Sequence, residues 1–181
     1  MVMVWRSPAI SLSRSEPSQH AARKLPEVIE SPHLMIVEAR YYEDVSNNLL
    51  KGATEAIERF GASYEVYTVP GALEIPSAIR YAVRSMDYFT ARRRFDGYIA
   101  LGCVIRGETS HYDVVCNESA RGIYQMALQY TLAVGNGILT CENMDQAMER
   151  ADPARKNKGG EAADACLNLI KLKHQFRLYP R

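Results

Sequence analysis

The sequence predicts an α/β protein: a three-layer α/β/α sandwich around a central four-stranded parallel sheet. Two observations carry this expectation. Four short apolar, β-branched runs recur at intervals long enough for a crossover helix, and between them the apolar residues fall into a helical period. Runs apolar throughout belong to strands covered on both faces, as parallel sheets require. Strand and helix alternate four times, and right-handed crossovers then give a sandwich of flavodoxin-like type.

The chain opens differently. From Met1 to about Pro32, Ser and Pro recur with Arg6, Arg14, Arg23 and Lys24 but little apolar periodicity. Such a segment cannot offset the entropy of ordering itself. Residues 1–32 are therefore expected to form a mobile N-terminal extension, and 33–181 one domain. The Arg-rich, Ser-rich, acid-poor composition also suits an organelle transit peptide, or an overlong start. Within the extension, "PEVI" at 26–29 is the piece that could add an edge strand.

"LMIVEA" (34–39) is the first predicted strand. Val45, Leu49, Ala53, Ala56, Ile57 and Phe60 then make one apolar helical stripe, stopped by Gly61. "YEVYTV" (64–69) is the second strand. Ile75, Ile79, Ala82, Val83 and Met86 mark a second helix beginning around Pro76, and "GYIALGCVI" (97–105) a third strand. "DVVCNESARGIYQMALQY" is the third helix and "AVGNGILT" (133–140) the fourth strand. "NMDQAMERA" and "GGEAADACLNLIKLKHQF" supply two more helices.

Composition removes several function classes. The 181 residues suit one domain with a real core, and the net charge is +1 with Lys and Arg spread along the chain. No electrostatic footprint favours nucleic acid or an anionic membrane. No apolar run approaches the roughly 20 residues that cross a bilayer, and "MVMVW" meets Arg6 before a secretory core could form, so a cytoplasmic location is expected. Cys103, Cys116, Cys141 and Cys166 are far apart, with neither a C-x-x-C pair nor a histidine at metal spacing. They read as reduced core thiols, and no metal is expected. "GNGILT" lacks the third glycine of a dinucleotide fingerprint, and neither a Walker loop nor a nucleophile elbow occurs. The strands end in Glu38-Ala39, Val69-Pro70 and Val104-Ile105, without the Asp cluster of a signalling receiver.

In open parallel sheets, ligands collect beyond the carboxyl ends of the strands. Three loops qualify: "EARYYED", "VPGALEIP" and "VIRGETSHYD". In the last, Gly107, Glu108, Thr109 and Ser110 precede a helix and can present N–H groups and hydroxyls to an anion. The plainer reading, favoured by local sequence, is that Ser110 or Asp113 caps that helix. Gly71 allows close backbone approach, and Glu74 at a helix start is stabilised without any catalytic role. His111 carries an imidazole, the side chain suited to proton transfer near neutrality, although a loop histidine is more often a spectator. Arg150 and Lys158 close the fourth helix and open the fifth, either as solvated ends or as a charge-assisted phosphate clamp.

Several stretches together resemble one family: "VPGALEIP", "GCVIRGETSHYD", "VCNESARGI", "NGILTCEN" and "ERADPARKNKGGEAA", in family order and near family spacing. The family is 6,7-dimethyl-8-ribityllumazine synthase, and the likeness runs from about His33 to Phe176. "HLMIVEARYYEDVS" is most similar to the type-I form of α-proteobacteria, some of which carry two copies. The resemblance implies a flavodoxin-like fold and the penultimate step of riboflavin synthesis. In that step 5-amino-6-(D-ribitylamino)uracil condenses with 3,4-dihydroxy-2-butanone 4-phosphate, releasing phosphate and water, with no cofactor. It also implies that Tyr41, with Tyr42 beside it, supplies an aromatic that stacks on the pyrimidine. Gly71, Ala72, Leu73 and Glu74 would line the ribityl and uracil region, and Cys103, Val104 and Ile105 the ring edge.

By the same resemblance His111 is the proton shuttle, Gly107 to Ser110 cradle the phosphate, and Arg150 with Lys158 reach it from a neighbouring subunit. Asn136 stands where some relatives place an aromatic from the adjacent subunit. Family members assemble as homo-pentamers with active sites at subunit interfaces, and some close into icosahedral 60-mers. "DPARK" replaces the glycine-rich turn of the shell formers, so a pentamer is expected and higher assembly stays open. "PEVI" would pair with a neighbour's sheet. The alternative function is a low-turnover lumazine- or flavin-binding assembly, a specialised second copy.

Overall fold

The period of two along the first strand divides the interior into two apolar layers. In β1 (His33–Ala39), Leu34 and Ile36 point to one face, Met35 and Val37 to the other, and all four are buried. The computed structural model describes residues 31–85, 87–88 and 95–178. Residues 1–30, which hold nearly all of the predicted extension and the "PEVI" segment, lie outside the described residues, as does Met86.

After β1 come α1 (Glu43–Phe60), β2 (Ser63–Val69), a 3-10 turn (Ala72–Glu74), α2 (Ile75–Ser85), β3 (Gly97–Ile105), α3 (His111–Gln129), β4 (Val134–Cys141), α4 (Met144–Ala151) and α5 (Lys158–Gln175). The sheet is four-stranded and parallel, in the order β2-β1-β3-β4. Val45, Leu49 and Ile57 of α1, Ala147 of α4 and Leu167 of α5 cover one face. Ile75 and Ile79 of α2 and Ile123 and Met126 of α3 cover the other. This is the predicted flavodoxin-like sandwich. Among the described residues no helix is long and apolar enough to cross a membrane.

Local chemistry sets the helix ends. Gly61 closes α1 at φ 80°, in the left-handed region where glycine has no Cβ penalty, and its N–H donates to the carbonyls of Glu58 and Ile57. Pro76 sits in the first turn of α2, where a missing N–H costs little. Asn143 caps α4, its side-chain oxygen accepting from Gln146 N at 2.9 Å, and Asn157 caps α5 by accepting from Gly160 N at 3.1 Å. Helices α1 and α5 then pack unusually close. A Cβ on Gly159 would lie 2.0 Å from the carbonyl oxygen of Leu49.

Two expectations are corrected. Strand β2 is not covered on both faces: none of its residues is buried, because it is an edge strand of the described sheet while the helices centre over β1, β3 and β4. Nor does Ser110 or Asp113 cap α3 through its side chain. Ser110 occupies the cap position without a side-chain hydrogen bond, and the Asp113 carboxylate instead accepts from Arg106 at 3.3 Å. All four cysteines are free thiols. Cys103, Cys141 and Cys166 are buried, whereas Cys116 is half-buried on α3.

Candidate active site

The strand order reverses between β1 and β3, since the chain runs outward to β2 before crossing back over β1. A crevice opens beyond the carboxyl ends of two strands whose connections leave in opposite directions. It measures about 520 Å³, within the range of small-molecule sites.

Three loops and one helix end build it. Ala39 ends β1, and Tyr41 and Tyr42 follow in the turn to α1; their rings meet edge-on with centroids 4.9 Å apart. Burial, then the neighbouring Tyr41 and Cys103, raise the Tyr42 phenol above its ordinary pKa, so it is neutral at physiological pH. From the second loop come Pro70, Gly71, Ala72, Leu73 and Glu74. Glu74 folds back toward Gly71, its Oε2 lying 3.0 Å from where a Cβ on that glycine would stand.

The end of β3 offers backbone as well as side chains. Its pairing with β1 stops at Glu38 and Leu101, but its pairing with β4 runs on to Ile105 and Cys141. Cys103, Val104 and Ile105 therefore extend past the end of β1, with one row of peptide groups outside that ladder and beside the crevice. The Cys103 thiol is pushed up to about 12 by burial and then by the adjacent Cys141, so it forms wall and not nucleophile.

Gly107 and Thr109 continue the rim into α3, whose first turns present His111, Tyr112 and Val115. The His111 N–H donates to Thr109 Oγ1 at 3.4 Å, and the helix points its positive end at the crevice. Arg106 braces this corner. Its Nε donates to Glu142 at 2.9 Å, its Nη1 to Asp113 at 3.3 Å, and its guanidinium lies 4.0 Å over the Tyr112 ring. Glu142 belongs to the β4–α4 turn, so one side chain ties β3, β4 and the start of α3 together.

Of the sequence-predicted site residues, the structure brings Tyr41, Tyr42, Gly71, Ala72, Leu73, Glu74, Cys103, Val104, Ile105, Gly107, Thr109 and His111 to one crevice. It does not bring the other five there. Glu108 and Ser110 are exposed in the adjoining turn, and Asn136 lies mid-strand in β4 opposite Ala100, its Oδ1 accepting from Ile138 N at 3.0 Å. Arg150 donates to the Gln146 carbonyl at 3.2 Å in the last turn of α4, and Lys158 pairs with Glu161 in the first turn of α5. Tyr112 and Val115 also line the crevice, beyond the residues expected from the sequence. Their spacing from His111 on a helix, one and four residues on, was the available signal. Among the described residues, no three His, Cys, Asp or Glu side chains converge to hold a metal ion.

Comparison with known proteins agrees with this geometry. Residues 31–174 match the family model described as 6,7-dimethyl-8-ribityllumazine synthase. The chain is 52% identical to the protein of that name from Bartonella tribocorum over 83% of this chain and 95% of the relative. It is 52% identical to that of Agrobacterium fabrum, over 82% of this chain and 99% of the relative. With that of Sphingopyxis alaskensis it shares 55% identity over 80% of this chain and 96% of the relative. The α-proteobacterial leaning of the sequence is borne out by these sources.

Proposed function

Because the chain belongs to the 6,7-dimethyl-8-ribityllumazine synthase family, whose transferase reaction is the condensation of ribitylaminouracil with butanone phosphate in riboflavin biosynthesis, we propose how its residues share that work. The observation that carries the assignment is the meeting of Tyr41, Glu74 and His111, from three separate strand ends, in one crevice.

The amine and the ketone are intrinsically reactive, so the protein chiefly needs to hold them together, an effect worth up to about 7–11 kcal/mol when orientation is good. Tyr41 stacks on the planar pyrimidine. Leu73 and Glu74 meet the ribityl and uracil polar groups, and the free peptide row at Val104 and Ile105 reads the ring edge. Schiff-base formation, phosphate loss and ring closure each move a proton, and His111 relays them. The phosphate sits by Gly107, Glu108, Thr109 and Ser110 at the positive end of α3. Tyr42 and Cys103, both kept protonated by burial, serve as walls of the site.

Arg150 and Lys158 lie outside the crevice of their own chain, which supports a site completed by a neighbour. We assign them, with Asn136, to the next subunit of a homo-pentamer in the cytoplasm, Arg150 clamping the butanone phosphate. Arg150→Ala is expected to raise KM for that substrate with little change in KM for the pyrimidine, read from lumazine absorbance. Co-expressing His111→Ala with Arg150→Ala chains should restore activity toward about a quarter of the wild-type value, since random mixing rebuilds intact sites between unlike neighbours. Mixed assemblies no more active than either parent would show that Arg150 serves its own chain or none.

A further inference from the structure

One buried charge has no part in the chemistry above. Glu38, next to last in β1, is 4% exposed and does not line the crevice. Burying a carboxylate costs several kcal/mol, roughly, unless partners compensate it. Arg40 Nη1 donates to both of its oxygens, at 3.1 and 3.3 Å, and the Thr68 hydroxyl of β2 donates to one of them at 3.1 Å. The second arm of the guanidinium crosses to α1, where Nη2 donates to Asn47 Oδ1 and lies 3.7 Å from Glu43.

This arrangement spans the turn that carries the stacking aromatic. Arg40 joins the end of β1 to the first turns of α1, and between them stand Tyr41 and Tyr42. On the inner side, buried Ser46 closes the same turn: its N–H donates to the Tyr42 carbonyl at 2.9 Å, and its hydroxyl lies within donating distance of the carbonyls of Tyr42 and Ala39, at 2.9 and 3.3 Å. Tyr41 itself is 74% exposed and meets Tyr42 edge-on. A ring with so little packed on it is placed by its backbone, and the backbone here is placed by the turn.

We propose that Glu38 and Arg40 are positioning residues, a buried carboxylate held by a half-buried guanidinium, whose pairing fixes the β1–α1 turn so that Tyr41 presents its face to the planar substrate. The proposal rests on the reading of Tyr41 as the stacking platform. The buried carboxylate carries a desolvation cost that an apolar side chain would not, so holding one conformation of the turn is the better account of its presence.

The test measures kcat and both KM values in the full chain for Arg40→Met, Arg40→Lys, Glu38→Gln, Tyr41→Ala, and Arg40→Met combined with Tyr41→Ala. If the competent turn falls to about a tenth of the population, Arg40→Met raises KM for ribitylaminouracil about tenfold, with kcat and KM for butanone phosphate held within about twofold. Arg40→Lys, which keeps a charge beside Glu38, recovers part of the loss, and Arg40→Met adds nothing once Tyr41 is Ala. Equal rises in both KM values, or effects that add in the double variant, would reduce the pair to scaffold and overturn the proposal. Should Arg40→Met fail to fold by circular dichroism, Glu38→Gln with and without Tyr41→Ala makes the same comparison. If Tyr41→Ala alone leaves both KM values unchanged, the stacking reading fails first, and the two failures are thereby distinguished.

Discussion

His111 stands first in α3, where the helix axis, the Thr109 hydroxyl and the crevice meet. A placed imidazole typically contributes about 10² to 10⁴ in rate, and the low end fits a reaction in which juxtaposition supplies most of the help. His111→Ala is accordingly expected to lower kcat by about 10² while the chain stays folded and both KM values change little. Single-turnover absorbance traces check this, and an unchanged kcat would remove the proton-transfer role. The three loops that carry His111, Glu74 and Tyr41 were legible in the sequence because each follows a strand, and strand ends are where this fold collects ligands, whereas the roles of these residues came only from the family resemblance. Tyr112, Arg106 and Glu38 were not. The first depends on which side of α3 faces the crevice, the second on how the β4–α4 turn folds back, and Glu38 is hidden in a run that reads as apolar.

Helices α1 and α5 depend on glycine for their approach. With the Leu49 carbonyl oxygen 2.0 Å from any Cβ at Gly159, Gly159→Ala forces two backbones apart, and overpacking of this kind costs about 3 kcal/mol. A lower midpoint in urea unfolding, with normal kcat for the protein that remains folded, is the expected result; an unshifted midpoint would mean that α5 yields without cost. Among the described residues, the four strands and five helices were readable from apolar pattern and stop signals, with ends within about two residues, as hydrogen-bond chemistry blurs them. Less readable were features fixed by neighbours. Whether β2 is covered depends on its place in the strand order, and the Asp113 carboxylate, a cap candidate for α3, is taken up by Arg106 instead.

Assembly is the property of the complete molecule that the proposed mechanism demands, because Arg150 and Lys158 do not reach their own crevice. Light scattering should give five copies of the 20.4 kDa chain, about 100 kDa, for the smallest stable species. A monomer mass in active preparations would leave the phosphate without its clamp. Sequence pattern predicted the sandwich because short apolar runs alternate with stretches of helical period. The count of subunits is not written in any period, since it depends on surfaces that a lone chain leaves facing water.

The separation of the interior into two apolar layers sets terms for how this protein can change over generations. A void opened beneath Ile36 must be filled from α1, α4 or α5, whereas one beneath Val37, the next residue, must be filled from α2 or α3. Compensating substitutions should therefore accumulate in two separate groups, and the crevice, which takes Cys103 from one layer and Ala72 and Val115 from the other, is where a change of ligand would draw on both.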